Sequence, residues 1–154
     1  MTHESLALEL GSLCSRTCES FGMPVLETSG GNLFALVGRL RKELGFDLLL
    51  DVTAIDYPER RPRFVAVYHL FNSACCQRVR IKVEVPDHDP SLTTLTTLYG
   101  SARFLEREVH EMYGIRFTGN DDLRPILLYE GFVGHPLRKD YPIDREQPIV
   151  DYRR

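Results

Sequence analysis

The sequence predicts an α+β fold: a mixed, largely antiparallel sheet with helices packed mainly on one face, followed by an extended irregular C-terminal tail. Three observations carry that reading. The runs FDLLLDVTAIDY, RFVAVYHLF and CQRVRIKVEV are β-branched or aromatic and are separated only by short breaks around PERRP and NSAC, the layout of an antiparallel three-strand meander. In the third run Val79, Ile81, Val83 and Val85 alternate with Arg78, Arg80, Lys82 and Glu84, so one face is buried and the other meets water. Beyond Gly119 the prolines at 125, 136, 142 and 148 interrupt any regular element.

The flanking elements follow from capping and periodicity. Thr2 can cap a helix running to about Phe21, with Leu6, Leu10, Leu13, Cys14 and Thr17 near one stripe and Gly22 as its stop. MPVLET then reads as a short strand, and Asn32 as the N-cap of a second helix that runs through Leu44 and closes at Gly45. Ser91 can cap a helical segment to about Tyr99, and a further helix spans about Ala102 to Tyr113 before Gly114 stops it. The chain thus divides into a compact part, 1–118, and a tail, 119–154, that is not an independent domain. Structureless segments longer than roughly 12–15 residues are usually functional or disordered. This tail carries Ile126, Leu127, Leu128, Phe132, Leu137, Ile149 and Val150, apolar anchors that a solvated linker has no use for.

Composition narrows the function classes. With 154 residues, 43% hydrophobic and 27% charged, the chain can bury a sizeable core without a staple. A formal charge of -3 argues against general nucleic-acid binding, and the one basic cluster, Arg60, Arg61 and Arg63, reads as a solvated turn. The start, MTHESLALELGSL, lacks the basic-then-apolar layout of a secretory signal, which predicts a cytoplasmic protein. No stretch approaches the ~20 apolar residues of a membrane span, so membrane association would come through a partner. Cys14 and Cys18 lie four apart on the expected first helix and read as buried small hydrophobes; Cys75 and Cys76 would point to opposite faces if they lay in a strand.

The stretch EREVHEMYG, Glu106 to Gly114, concentrates charge and raises the question of chemistry. It begins like the zinc-protease signature His-Glu-x-x-His, but Gly114 stands where the second histidine is needed. Glu106 and Glu108 diverge by about 200° on a helix and cannot act as a paired acid and base. Leu105, Val109 and Met112 form the expected core stripe, with Glu106–His110 and Arg107–Glu111 as surface i,i+4 pairs. His110, Glu111 and His135 are the one set that could converge on a metal, which keeps a stand-alone metal-dependent enzyme as a contrasting reading. No nucleophile elbow, phosphate loop or dinucleotide fingerprint is present.

The order of four blocks, LLLDVTAIDYPERRPRFVAVYHL, FLEREVHEMYGIRF, DLRPILL and GHPLRKDYP, resembles the thirty-kilodalton subunit family of respiratory complex I, the C subunit of bacterial NADH:quinone oxidoreductase, over roughly Leu44 to Arg145. Related subunits of membrane-bound hydrogenases share a diluted form of the pattern. The resemblance implies a non-catalytic peripheral-arm subunit on the cytoplasmic side of the cell membrane, docked on the large D subunit that forms the quinone site, near neighbours such as the B subunit. It also implies that this chain binds no cofactor, while the parent complex uses NADH, FMN, iron-sulfur clusters and quinone. The implied partner interface draws on Glu106, Arg107 and Glu108 of the charged helix, on Asp122, Leu123 and Arg124, and on Phe132, His135, Pro136, Leu137, Arg138, Lys139, Asp140, Tyr141 and Pro142. Within it Arg138, Lys139 and Asp140 would set orientation, and Phe132, Leu137 and Tyr141 would supply apolar area. Unpaired apolar surface of this kind also predicts self-association of the isolated chain.

Overall fold

A computed structural model describes residues 2–147. The expected anchors Ile149 and Val150 lie outside the described residues.

Five strands, β1 (Arg16–Ser20), β2 (Met23–Thr28), β3 (Leu48–Asp56), β4 (Phe64–Asn72) and β5 (Gln77–Val85), form one sheet in the order β1-β2-β5-β4-β3. The β3–β4–β5 meander is antiparallel as expected, and β2 enters the sheet parallel to β5. The sheet is therefore mixed and largely antiparallel. Alternation in β5 is realised residue by residue: Val79, Ile81, Val83 and Val85 are fully buried while Arg78 and Glu84 are exposed. Helix α1 (His3–Leu10) contributes Leu6 and Leu10, and α2 (Gly30–Lys42) contributes Leu33, Leu36, Val37 and Leu40, to the same core as Tyr68, Leu70 and Ile81. Each such aliphatic side chain contributes roughly 1.5–3 kcal/mol on burial.

Several local expectations are corrected. Thr2 does cap α1, its hydroxyl accepting from the Ser5 amide at 3.2 Å, but the helix stops at Leu10 and a single 3-10 turn, Gly11–Leu13, leads into β1. The cause is a two-residue hairpin at Phe21 and Gly22, both with positive φ (53° and 71°), whose twist suits the flanking strands β1 and β2. Thr17 and Cys18 are consequently strand residues, and Cys14 ends the 3-10 turn. Ser29, not Asn32, occupies the N-cap position of α2.

The segment after Ser91 is also not helical. Ser91–Thr93 is strand β6, which pairs in parallel with β7 (Arg116–Thr118). Leu92 and Phe117, partners in that register, are both buried. Helix α3 (Ala102–Tyr113) has the expected limits; Gly114, at φ 74°, closes it with its amide on the His110 carbonyl. Cys75 and Cys76 lie in the β4–β5 turn, not in a strand.

Candidate partner interface

Helix α3 is charged, yet much of its charge faces its own chain. The Glu106 side chain is completely buried, and its carboxylate accepts from the Leu95 amide at 2.7 Å, the Thr94 hydroxyl at 2.6 Å and the Asn120 amide group at 2.9 Å. Burial pushes its pKa up, against the pull of these three donors. The expected surface pair with His110 does not form: His110 Nδ1 meets the Ile115 carbonyl at 3.0 Å, and since a carbonyl only accepts, that nitrogen carries the proton. Glu106 also explains the missing helix at 91–99, because the Leu95 amide bonds to a carboxylate instead of a helical carbonyl.

Arg107 and Glu111, expected to pair with each other, instead hold the same stretch of the tail by opposite polarities. Arg107 donates to the carbonyls of Arg124 and Pro125, both at 2.9 Å. One turn further on, Glu111 accepts from three successive amides, Ile126, Leu127 and Leu128, at 3.2, 2.9 and 2.9 Å. Successive backbone N–H groups around a carboxylate act as an anion-binding nest, and hydrogen bonds to a charged group contribute about 1.5–3 kcal/mol each at best. The loop is further shaped by Asp122, whose carboxylate accepts from the Arg124 guanidinium at 2.8 and 2.9 Å and is thereby held well below the usual carboxylate range.

The conspicuous run GHPLRKDYP is a strap over the C-terminal end of α3. The last carbonyls of a helix have no partner within it. Here three successive ones are taken: Glu111 O by His135 Nδ1 at 2.8 Å, Met112 O by the Leu137 amide at 3.2 Å, and Tyr113 O by Arg138 Nε at 2.5 Å. The strap sits so close that a Cβ on Gly114 would collide with the Arg138 guanidinium and lie 2.6 Å from His135 Nε2. Burial lowers the His135 pKa, in keeping with a neutral ring that donates through Nδ1.

The strap then reaches the sheet. The Asp56 side chain, fully inaccessible, accepts from Arg63 Nε and Nη2 at 2.7 and 2.8 Å and from the Lys139 amide at 2.7 Å; Arg63 Nη1 reaches Asp140 at 2.9 Å. Arg63 is thus a half-buried ion-pair residue, not part of a solvated basic turn. Its guanidinium lowers the pKa of Asp56 and of Asp140. Tyr141 stacks on Phe132 at 6.1 Å, and Tyr129 meets Phe132 edge-on at 5.5 Å.

Among the residues expected to face a partner, Glu106 is therefore turned into the core, and Arg107, Arg138, Asp140 and the amide of Lys139 bond within the chain. Phe132, Tyr141, His135, Pro136, Asp122 and Leu123 are half-buried; Glu108, Arg124, Leu137, Lys139 and Pro142 are exposed. Sequence reasoning named Ile126 and Leu127 as apolar anchors without placing them in the interface set, and it passed over Val133 and Ile143; these four join Leu137 at 39–104% exposure. His110, Glu111 and His135 line one cavity, but among the described residues no three His, Cys, Asp or Glu side chains are placed to hold a metal. None of the described helices is long and apolar enough to cross a membrane.

Residues 26–147 match the family described as the respiratory-chain NADH dehydrogenase 30 Kd subunit. The chain belongs to this family. Among its relatives, the C subunit of the NADH-quinone oxidoreductase of Sinorhizobium medicae is 42% identical over 135 residues, covering 86% of this chain and 67% of the relative. The corresponding C subunit of Geobacter sulfurreducens is 46% identical over 111 residues, covering 70% and 68%, and subunit 5 of Thermus thermophilus is 43% identical over 139, covering 79% and 67%. The match thus spans about two thirds of each relative's length. Among solved structures, a trypsin-resistant fragment of Nqo5, residues 1–134, superposes with a TM-score of 0.62 at 35% identity, covering 68% of this chain and 86% of the fragment. A chain of an archaeal respiratory membrane complex, the membrane-bound sulfane sulfur reductase, superposes with a TM-score of 0.79 at 22% identity, covering 91% and 83%, and shares the fold.

Proposed function

We propose that this family member is a non-catalytic peripheral-arm subunit of a proton-translocating NADH:quinone oxidoreductase, lying on the cytoplasmic side of the membrane and docked through its tail on the large D subunit that forms the quinone site, with the B subunit as a neighbour. Electron transfer through FMN, iron-sulfur clusters and quinone is then the work of its partners. One observation carries the docking role: the tail's polar groups bond to its own chain, while Ile126, Leu127, Val133, Leu137 and Ile143 face outward. A tail fixed by its polar groups with its aliphatic ones uncommitted is preorganised for an apolar partner surface, so little ordering entropy remains to be lost on docking.

The test is recovery of the tagged chain from its native membranes in mild detergent. Co-purification of a large quinone-site subunit together with NADH:quinone oxidoreductase activity is the expected result. A hydrogenase large subunit in its place, or a chain that emerges alone under conditions that preserve the complex, overturns the proposal.

A further inference from the structure

The β4–β5 turn carries two adjacent cysteines, both exposed and both free. The turn is held from beneath. Asn72 donates to the Leu44 carbonyl at 2.9 Å and accepts from the amides of Ala74 and Cys75 at 3.0 and 3.2 Å, and Ser73 is bonded through its amide and hydroxyl to Asp47. Cys76 closes the turn with φ 55°, a left-handed conformation that bulky residues adopt rarely. The two adjacent cysteines are exposed on a supported turn, with Cys76 Sγ 4.0 Å from the Ser73 carbonyl, and neither belongs to the core or to the tail.

Their spacing restricts what they can do. Adjacent Cα atoms lie about 3.8 Å apart, short of the roughly 4.4–6.8 Å that a relaxed disulfide spans. Zinc in a structural site takes four ligands, and among the described residues no third His, Cys, Asp or Glu joins the pair. A soft centre that needs only two sulfurs fits. We propose that Cys75 and Cys76 form a vicinal dithiol site for trivalent organoarsenicals. In the reaction an arsenoxide, R–As=O, meets two S–H groups; two As–S bonds form, the As=O bond breaks, and the oxygen leaves with both thiol protons as one water. Arsenic stays trivalent, so no oxidant or reductant is required. The second sulfur closes a ring intramolecularly, which raises affinity over a single thiol by about 10²–10⁴-fold.

The experiment uses the full, reduced chain with phenylarsine oxide, read by intact mass, thiol titration and peptide mapping. The expected result is one phenylarsenic group on the peptide that contains residues 75 and 76, two thiols lost, and release by a small dithiol but not by an equal concentration of a monothiol. Cys75→Ser and Cys76→Gly each weaken binding by about 10²–10⁴-fold; the glycine suits the left-handed φ and so preserves the turn. Cys14→Ser and Cys18→Ser leave binding unchanged. Arsenic mapped to Cys14 or Cys18, no adduct at all, or wild-type affinity in either single variant of the pair overturns the assignment.

Discussion

The body of the molecule, up to Thr118, and the strap from Gly119 to Gln147 are held by opposite means. In the body, apolar side chains from three helices and a sheet converge on one core. In the strap, carboxylates, guanidinia and backbone amides make the attachments, and the exposed aliphatic groups point away. Hydrophobic burial is non-directional, so it makes a body that tolerates local change; hydrogen bonds are directional, so each strap contact fixes a register. Leu123 and the Tyr129–Phe132–Tyr141 rings pack inward, but the difference teaches that the strap is positioned without Ile126, Leu127, Val133, Leu137 and Ile143, which leaves those side chains for something else.

The largest effect is expected where the two regions share a residue. Glu106→Ala leaves the Leu95 amide, the Thr94 hydroxyl and Asn120 without their acceptor in a closed site. A loss of about 3 kcal/mol in urea unfolding is expected, since each stranded buried donor costs roughly 1–3 kcal/mol. A loss below about 0.5 kcal/mol, the range of an ordinary surface change, would show that the helix tolerates a solvated position there.

Next in size are the strap attachments, and they should act locally. Asp56→Asn removes the charge that binds Arg63 and turns an amide donor toward Arg63 or the Lys139 amide. About 2 kcal/mol is expected, seen as faster proteolysis and amide exchange after residue 135 with the β4 and β5 amides still protected. Uniformly faster exchange in strap and sheet would mean that the two regions unfold as one. Glu111→Gln, which offers only one accepting oxygen to three amides, should speed exchange at Ile126–Leu128 by about tenfold, the equivalent of about 1.4 kcal/mol.

The smallest effect, and the sharpest contrast between the regions, is with pH. Asp56 and Asp140 have folded-state pKa values below their ordinary ones, so their contribution is complete above about pH 4 and is lost as pH falls through the folded values. Glu106 runs the other way. Its pKa is raised by burial, so its contribution is complete below about pH 4.3 and declines as pH rises through the folded value. Acidification below pH 4 should therefore release the strap before the body, with amide exchange rising first at residues 138–141. Simultaneous loss of protection at α3 would contradict this.

How legible this was in the sequence differs by element for physical reasons. Strand β5 announced itself because one face is buried and the other wet, and α3 because Gly114 supplies the left-handed residue that ends it. Strand β1 was hidden because its hairpin turns on Phe21 in a conformation that asparagine or glycine would have signalled. β6 was hidden because its partner lies far along the chain and because a carboxylate, Glu106, captures the backbone that a helix would have used. That residue had a signal: Ala102, Glu106 and Val109 share the i, i+4, i+7 spacing of the buried stripe, but a glutamate in such a stripe reads as surface unless its donors are known. The GHPLRKDYP run was visible as a unit, whereas its bonds to the end of α3 and to Asp56 depend on the fold that brings residues 56, 113 and 139 together.

The measurement that bears most directly on the strap as a docking surface is assembly of the chain with Leu127→Asn, Leu137→Asn and Ile143→Asn combined. All three side chains are exposed, so the unfolding midpoint should match that of the unsubstituted chain. With that midpoint unchanged, recovery of the large quinone-site subunit with the tagged variant from native membranes should fall by more than about tenfold, a loss of about 1.4 kcal/mol in docking. Full recovery of that partner with the variant would contradict the account.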